Sequence, residues 1–225
     1  MLDLKSSNHL PAMNIKSDHI PRATLERMAV YLEVLNSLTR DGVTLISSEE
    51  LGTFCNTNGA QVRKDLAYFG EFGVRGLGYY VEELSHAIAS SLGINREWRA
   101  VLVGMGNMAR SLLMHREMRM HTYRIVGVFD IDPAKAGQEV LGMKVQNIKD
   151  LKNLGAQLKP EIGIITSRPD HVQYIVNRLL DAGVRGILNF TPTRVPVPDG
   201  VYIEYVDYLH HLYALSFNLS SHHKA

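Results

Sequence analysis

Residues 58–80 read NGAQVRKDLAYFGEFGVRGLGYY, and the fold of the first third of the chain turns on how they are read. Asn58 can cap the orphan amides of a helix start, and Gln61 three residues on completes a capping-box spacing. Val62, Leu66 and Phe69 then fall at i, i+4 and i+7, an apolar stripe that needs a core. Gln61, Lys64 and Tyr68 fall on another side, with Arg63 beside them. The second half sets Gly70, Gly73, Gly76 and Gly78 around Arg75, in the manner of a tight β-hairpin whose backbone approaches something closely. A helix followed by such a hairpin is the layout of a winged helix. Arg, Lys and Gln on a capped helix can match phosphates and base edges in a major groove. An arginine on a glycine-rich wing suits a narrow minor groove. The pattern alone also allows a plainer reading, a solvated helix followed by a loop.

Working outward, Ser47 to Glu50 has the S-x-x-E form of a capping box and opens a short helix through about Cys55. Before it, Pro21 suits the first turn of a helix reaching about Arg40, with Leu25, Met28, Leu32, Leu35 and Leu38 near helical spacing and Asp41-Gly42 as its stop. Residues 1–19 are polar and aperiodic, as in a mobile leader. On the other side, Val81 to Leu92 reads as a fourth helix, with Leu84, Ile88 and Leu92 on one face, and Gly93 to Arg99 as a hinge. Residues 20–95 are therefore expected to form a winged-helix DNA-binding domain, with Gln61, Arg63, Lys64, Tyr68 and Arg75 as its contacts.

A second domain is expected over 96–206. Ala100 to Gly104 is a short apolar run of buried-strand type, followed at once by Gly104, Met105, Gly106, Asn107, Met108 and Ala109, then by a helical stretch from Arg110 to about Glu117. Strand, G-x-G-x-x-A, then helix is the setting of the dinucleotide fingerprint. Gly104 permits the tight turn, Gly106 admits a pyrophosphate, and Ala109 allows close helix packing, with the phosphates on the helix amides. A second strand, Arg124 to Phe129, ends in Asp130, near the usual place of the carboxylate that holds an adenosine ribose. Ile131-Asp132-Pro133 supplies no arginine for a 2′-phosphate, so NAD(H) should be preferred to NADP(H).

Gly163 to Thr166 and Arg185 to Phe190 read as further strands, with a helix from about Asp170 to Asp181 between them. Ligands lie at the carboxyl ends of parallel strands. Thr166 to Arg168 and Asn189 to Pro192, with Thr166, Ser167, Asn189, Thr191 and Pro192 foremost, are therefore candidates for the nicotinamide side, ordinary strand-to-helix turns being the alternative. Val201 to Tyr205 looks like a last strand. Residues 207–225 follow as a terminal helix to about Leu219 and a tail, with apolar residues on more than one face, which suggests a subunit interface.

Composition sets outer bounds. The chain has 225 residues, 45% hydrophobic and 21% charged, which is ordinary for a globular protein of one or two domains. A single cysteine, Cys55, excludes an intrachain disulfide and fits a reducing cytoplasm. No apolar run is long enough to span a membrane, and no secretion signal opens the chain. Residues 1–95 carry 8 Lys and Arg against 11 Asp and Glu, a net of −3. DNA binding would therefore rest on local placement of cations, with a dimer doubling them. The adjacent pairs His210-His211 and His222-His223 point in different directions from a helix and lack a third ligand, so no metal site is expected.

The run QVRKDLAYFGEFGVRGLGY resembles the signature of the Rex family, redox-sensing transcriptional repressors of bacteria. The resemblance extends from Ile20 to about Leu219, through IPRATLERMAVYLEVL near the start and GILNFTP late in the chain. It implies a winged-helix domain, a Rossmann-like parallel-sheet domain and a C-terminal helix exchanged in a homodimer. It further implies binding to an inverted-repeat DNA operator, repression of fermentation and respiration genes, and release by NADH. By the same resemblance Arg27 and Asp207 are a pair that forms across the dimer when NADH is bound. The aspartate turns, on DNA, toward a tyrosine whose position holds His115 here. A histidine there would carry charge more often at lower pH, favouring the DNA-bound state. The family's Thr-Val-Pro beside the nicotinamide is replaced by Thr166-Ser167-Arg168.

Two rivals remain from the residues themselves. A small NAD-dependent oxidoreductase needs a substrate domain and a proton donor, for which the chain has little room after its last strand. A CoA-binding module would share the fingerprint but would not use the helix and wing.

Overall fold

The computed structural model describes residues 20–74, 76–114 and 122–222. The chain divides between Asn95 and Arg96 into two compact units. The first contains α1 (Arg22–Arg40), β1 (Leu45–Ile46), α2 (Ser48–Phe54), α3 (Gly59–Leu66), β2 (Tyr79–Tyr80) and α4 (Val81–Ser91). The helix starts follow from their caps. Ser47 accepts from the Glu50 amide at 3.1 Å while the Glu50 carboxylate accepts from the Ser47 amide at 2.8 Å, a complete capping box. Asn58 accepts from the Gln61 amide at 2.9 Å, but the Gln61 side chain turns away to Asp65, so only half of the expected box forms there.

The stripe on α3 is buried, with Val62, Leu66 and Phe69 at 0%, 2% and 1% exposure. It packs with Met28, Tyr31 and Leu35 of α1, Leu51 of α2 and Leu84 and Ile88 of α4. Each such side chain contributes about 1.5–3 kcal/mol through burial, which is what holds the four helices together. Cys55 caps the end of α2 and lies partly buried against this core. Burial pushes its thiol up to about 11, which suits a packing residue rather than a nucleophile.

The hairpin expected over 70–78 is short: Val74 and Gly78 exchange backbone hydrogen bonds at 2.8 and 3.0 Å as an antiparallel bridge. Among the described residues that bridge alone joins its arms, and the chain then pairs β2 with β1, Leu45 opposite Tyr80 and Ile46 opposite Tyr79. Gly73, Gly76 and Gly78 all have positive φ, which suits a tight turn and keeps the arms short. Gly78 also lies so close to β1 that a Cβ there would stand 2.5 Å from the Ile46 carbonyl oxygen.

The second unit is built on a seven-stranded sheet in the order β5-β6-β4-β3-β7-β8-β9. Its strands are β3 (Trp98–Val103), β4 (Tyr123–Asp130), β5 (Glu139–Val140), β6 (Met143–Asn147), β7 (Ile162–Ile165), β8 (Gly186–Asn189) and β9 (Tyr202–Tyr205). All pairings are parallel except β5–β6 at one edge. Residues 100–103 of β3 are fully buried, as a central parallel strand covered on both faces requires. The chain leaves β3 for β4 on one side and later returns to β7 on the other. The carboxyl end of β3 is therefore the topological switch point.

Helices α5 (Asn107–Met114), α6 (Leu151–Leu158) and α7 (Val172–Asp181) belong to this unit, as does α8 (Tyr208–His222). On α7, Val172, Ile175, Val176 and Leu179 form one buried face. Helix α8 is different: Leu212, Tyr213, Leu215, Phe217 and Leu219 are all about half exposed or more.

Candidate functional site

Two places carry the expected site residues, one in each unit. In the first, Arg63 and Lys64 project from α3 to solvent and Gln61 and Tyr68 are half-buried, Tyr68 resting against the core. Arg63 is already engaged: its guanidinium donates to Ser48 Oγ and to Glu49 Oε1, the latter at 2.7 Å. The hydrogen bonds from Arg63 and Ser48 hold the exposed Glu49 carboxyl below the usual carboxylate range. These side chains rim a groove of about 620 Å³ between the start of α2, the end of α3 and the short hairpin through Gly73 and Gly78. Arg75 lies outside the described residues, as does His115.

Behind the exposed face stands a group that the sequence pattern did not single out. Asp65, at 0% exposure, is the polar residue of α3 that faces inward. Its Oδ2 accepts from Arg27 Nε at 2.6 Å and the Tyr31 hydroxyl at 2.8 Å. Its Oδ1 accepts from Arg27 Nη2 at 2.7 Å, Gln61 Nε2 at 2.9 Å and Thr24 Oγ1 at 3.1 Å. Burial pushes this carboxyl's pKa up, yet the hydrogen bonds from Arg27, Tyr31 and Gln61 prevail and leave it below the ordinary value. The same contacts raise Arg27, mainly through its hydrogen bond to Asp65. Arg27 is thus held within its own unit. Asp207 is occupied in the other, accepting from the Leu209 amide at 3.0 Å and standing 3.4 Å from His210 Nε2.

The second place is a cleft of about 560 Å³ at the switch point, lined by Gly104, Gly106, Asp130, Asp132, Lys135, Thr166, Ser167, Arg168 and His171 among others. Gly104 has φ +103° and sits against the turn after β7, where a Cβ would stand 2.7 Å from the Ser167 amide nitrogen. Thr166 Oγ1 donates to the Gly104 carbonyl at 2.8 Å and ties the two turns together. Met105 and Ala109 are buried under the loop, while Gly106, Asn107 and Met108 face outward. A Cβ at Gly106 would meet nothing within 4 Å.

Asp130 ends β4 as expected, but its carboxylate already serves the loop. Oδ2 accepts from the Met105 amide at 2.7 Å and from Lys135 Nζ at 2.9 Å, and Oδ1 from the Asp132 amide at 2.9 Å. Burial raises its pKa, and the bonds from Asp132, Lys135 and Met105 outweigh that and lower it. Lys135 is the cation that the sequence reading lacked. Its signal was the Pro133-Ala-Lys turn, capped by Asp132, which returns the lysine to the aspartate five residues before it. Arg168 lines the cleft with Thr166 and Ser167, as expected, whereas His171, beside Asp170, was missed as a cleft-lining group.

Asn189 and Thr191 do not join the cleft. Asn189 spends its amide on its own turn, donating to the Thr193 carbonyl at 3.0 Å and accepting from the Thr191 amide at 2.9 Å. Thr191 Oγ1 accepts from the Thr193 amide, and both residues are buried. Pro192 is exposed in the same turn. Strand β8 lies one place beyond β7 from the switch point, which is why its end serves the turn.

Comparison with known proteins now separates the readings. The repressor "Redox-sensing transcriptional repressor Rex" of Maridesulfovibrio salexigens is 50% identical over 207 residues, covering 92% of this chain and 99% of that protein. The chain belongs to the Rex family. A second Rex, from Solidesulfovibrio magneticus, is 47% identical over 92% of this chain and 94% of its own. The crystal structure of RSP, a Rex-family repressor, in complex with β-NAD+ and operator DNA superposes with a TM-score of 0.85 at 30% identity, covering 92% of this chain and 95% of that one. RSP in complex with β-NADH gives 0.82 at 28% identity, covering 92% of this chain and 97% of RSP. A family model described as a putative DNA-binding protein N-terminus matches residues 19–67, and one described as a CoA binding domain matches 95–193. The CoA match reflects the shared Rossmann-like fold, whereas the Rex relatives match over both units. They are named as transcriptional repressors, a regulatory rather than a catalytic role.

Proposed function

We propose that this Rex protein is a homodimeric repressor that grips an inverted-repeat DNA operator with α3 and the 70–78 loop of each subunit, and lets go when NADH fills the cleft beside Gly104. The observation that carries the nucleotide half is Gly106. Nothing among the described residues would obstruct a side chain there, so glycine at this place suits something from outside, as it would a pyrophosphate lying on the first amides of α5. The residues fit the group. Gly104 to Ala109 would cradle the phosphates, and Thr166 and Ser167 would flank the nicotinamide side. Asp130, with three of about four lone-pair directions used, would offer the last to a ribose hydroxyl. When bound, the dinucleotide supplies a redox-dependent charge and shape on the nicotinamide ring; no bond in it is broken here.

For DNA, Lys64 and Arg63 would contact phosphates, Gln61 a base edge, Tyr68 the backbone and Arg75 the minor groove. Arg63 would exchange Glu49 for a phosphate, at little cost since the pair is exposed. The exposed apolar residues of α8 favour a helix that completes its core with a second copy. Arg27, Asp207 and His115 would then act as a switch between closed and open dimers. Ligands that prefer different dimers weaken each other by the same factor, and about 3 kcal/mol of coupling corresponds to on the order of a hundredfold. Half-sites must match two helices at fixed spacing, so a modest rotation loses register. No helix of the described residues is long and apolar enough to cross a membrane, and among them no group of His, Cys, Asp and Glu could hold a metal. A chromosomal operator puts the protein in the cytoplasm.

An electrophoretic shift on an AT-rich inverted repeat, with NADH, NAD+ and NADPH in parallel lanes, tests this. NADH should dissociate the complex at concentrations where NADPH does not. Undiminished binding at saturating NADH would end the proposal.

A further inference from the structure

The carboxylate behind α3 constrains more than packing. Gln61 and Asp65 stand one turn apart, and Gln61 Nε2 donates to Asp65 Oδ1 at 2.9 Å. An ionised carboxylate only accepts. The end of the Gln61 amide that faces it must therefore be the NH2, and Oε1 must turn away. Asp65 in turn cannot swing, because Arg27 holds it through both oxygens and Thr24 and Tyr31 add one bond each, all from α1. Gln61 is half-buried in the first turn of α3, the part of a recognition helix whose side chains meet base edges.

A glutamine amide free to flip can offer donor and acceptor in either order. A fixed one cannot. With Oε1 in a set direction it matches the N6 amine of adenine, its remaining N–H matches N7, and the O6 acceptor of guanine is opposed.

We propose that Asp65 is a positioning residue for base reading: it fixes which way the Gln61 amide faces the groove, and Arg27, Thr24 and Tyr31 fix Asp65, so that α1 sets the sequence discrimination made on α3. This rests on the assignment of α3 to the DNA groove. A residue that merely stapled α1 to α3 would affect affinity for all sequences alike.

The test uses the full chain and fluorescence anisotropy on a parent inverted repeat and on duplexes carrying one symmetric base-pair change in each half-site. Gln61→Ala should lower discrimination on the order of tenfold at one position, in keeping with the usual worth of a bidentate contact, and spare the others. Asp65→Asn, whose own NH2 would face that of Gln61, should lower discrimination at the same position, whatever it does to overall affinity. A uniform loss of affinity in Asp65→Asn with every ratio kept overturns the proposal, as does unchanged discrimination in Gln61→Ala. A parent that binds no duplex removes the DNA-binding assignment itself and this inference with it. Should Asp65→Asn fail to fold, the parent's side-chain amide spectrum decides, with Gln61→Ala identifying the resonance pair. A shifted pair protected from exchange is expected, and a pair at the position of a solvated glutamine overturns the idea.

Discussion

Among the described residues, each unit of this Rex protein hides one carboxylate, and the two are satisfied in different ways. Asp65 is filled by side chains, four of its five bonds coming from α1, 34–41 residues away. Asp130 is filled mainly by backbone amides, those of Met105 and Asp132, with Lys135 as its one side-chain donor. The first kind of site ties two helices together and is lost as a whole. The second organises a loop and can be weakened by degrees.

The widest gap between them should appear on truncation. Asp65→Ala strands the Arg27 guanidinium and the Tyr31 hydroxyl and should cost about 3 kcal/mol. Asp130→Ala, leaving two amides with partial access to water, should cost nearer 1–2 kcal/mol. Urea denaturation of the two variants measures this, and the reverse order would break the contrast. Next in size is a pair of glycine changes. Gly104→Ala forces a Cβ into the turn after β7 at positive φ, for about 2 kcal/mol of strain and lost nucleotide binding. Gly106→Ala should leave thermal stability unchanged and still weaken NADH in calorimetry, because only the ligand wants that space.

The acid limb of stability is a smaller effect. Both carboxyls titrate below the ordinary aspartate value. Their contribution is therefore fully present above about pH 4 and is lost as pH falls through the lower folded values. A melting series at falling pH should show a flatter acid limb in Asp65→Asn than in the parent, with Asp130→Asn between them. Smaller again, Lys135→Met bares Asp130 toward an added 2′-phosphate, so the preference for NADH over NADPH should widen several-fold in competition titrations. Last, Lys64→Ala should lower the salt dependence of DNA binding by about one phosphate contact per subunit, read as the slope of log affinity against log salt.

The same contrast explains what could be read in the chain. The capped starts of α2 and α3, the stripe Val62, Leu66 and Phe69, and the strand–glycine–helix order at 100–109 are local patterns, and each stands in the structure where its spacing put it. Asp130 was legible for that reason, since the fingerprint fixes its distance along the chain. Asp65 was not, because in sequence it is one more charge beside Arg63 and Lys64, and its partners lie a helix away. Lys135 fell between these cases, near in sequence but brought back only by a turn. The tight hairpin was legible in its glycine spacing, but its shortness, a single bridge between Val74 and Gly78, was not, because arm length depends on the φ of Gly73 and Gly78. Asn189 and Thr191 look like ligands from their place at a strand end, whereas the hydrogen bonds they make in the structure run within their own turn.

Helix α8 leaves apolar side chains uncovered on several faces of a single chain. In the proposed homodimer a sister molecule would cover that surface, so the stability of the chain would rise with its own concentration.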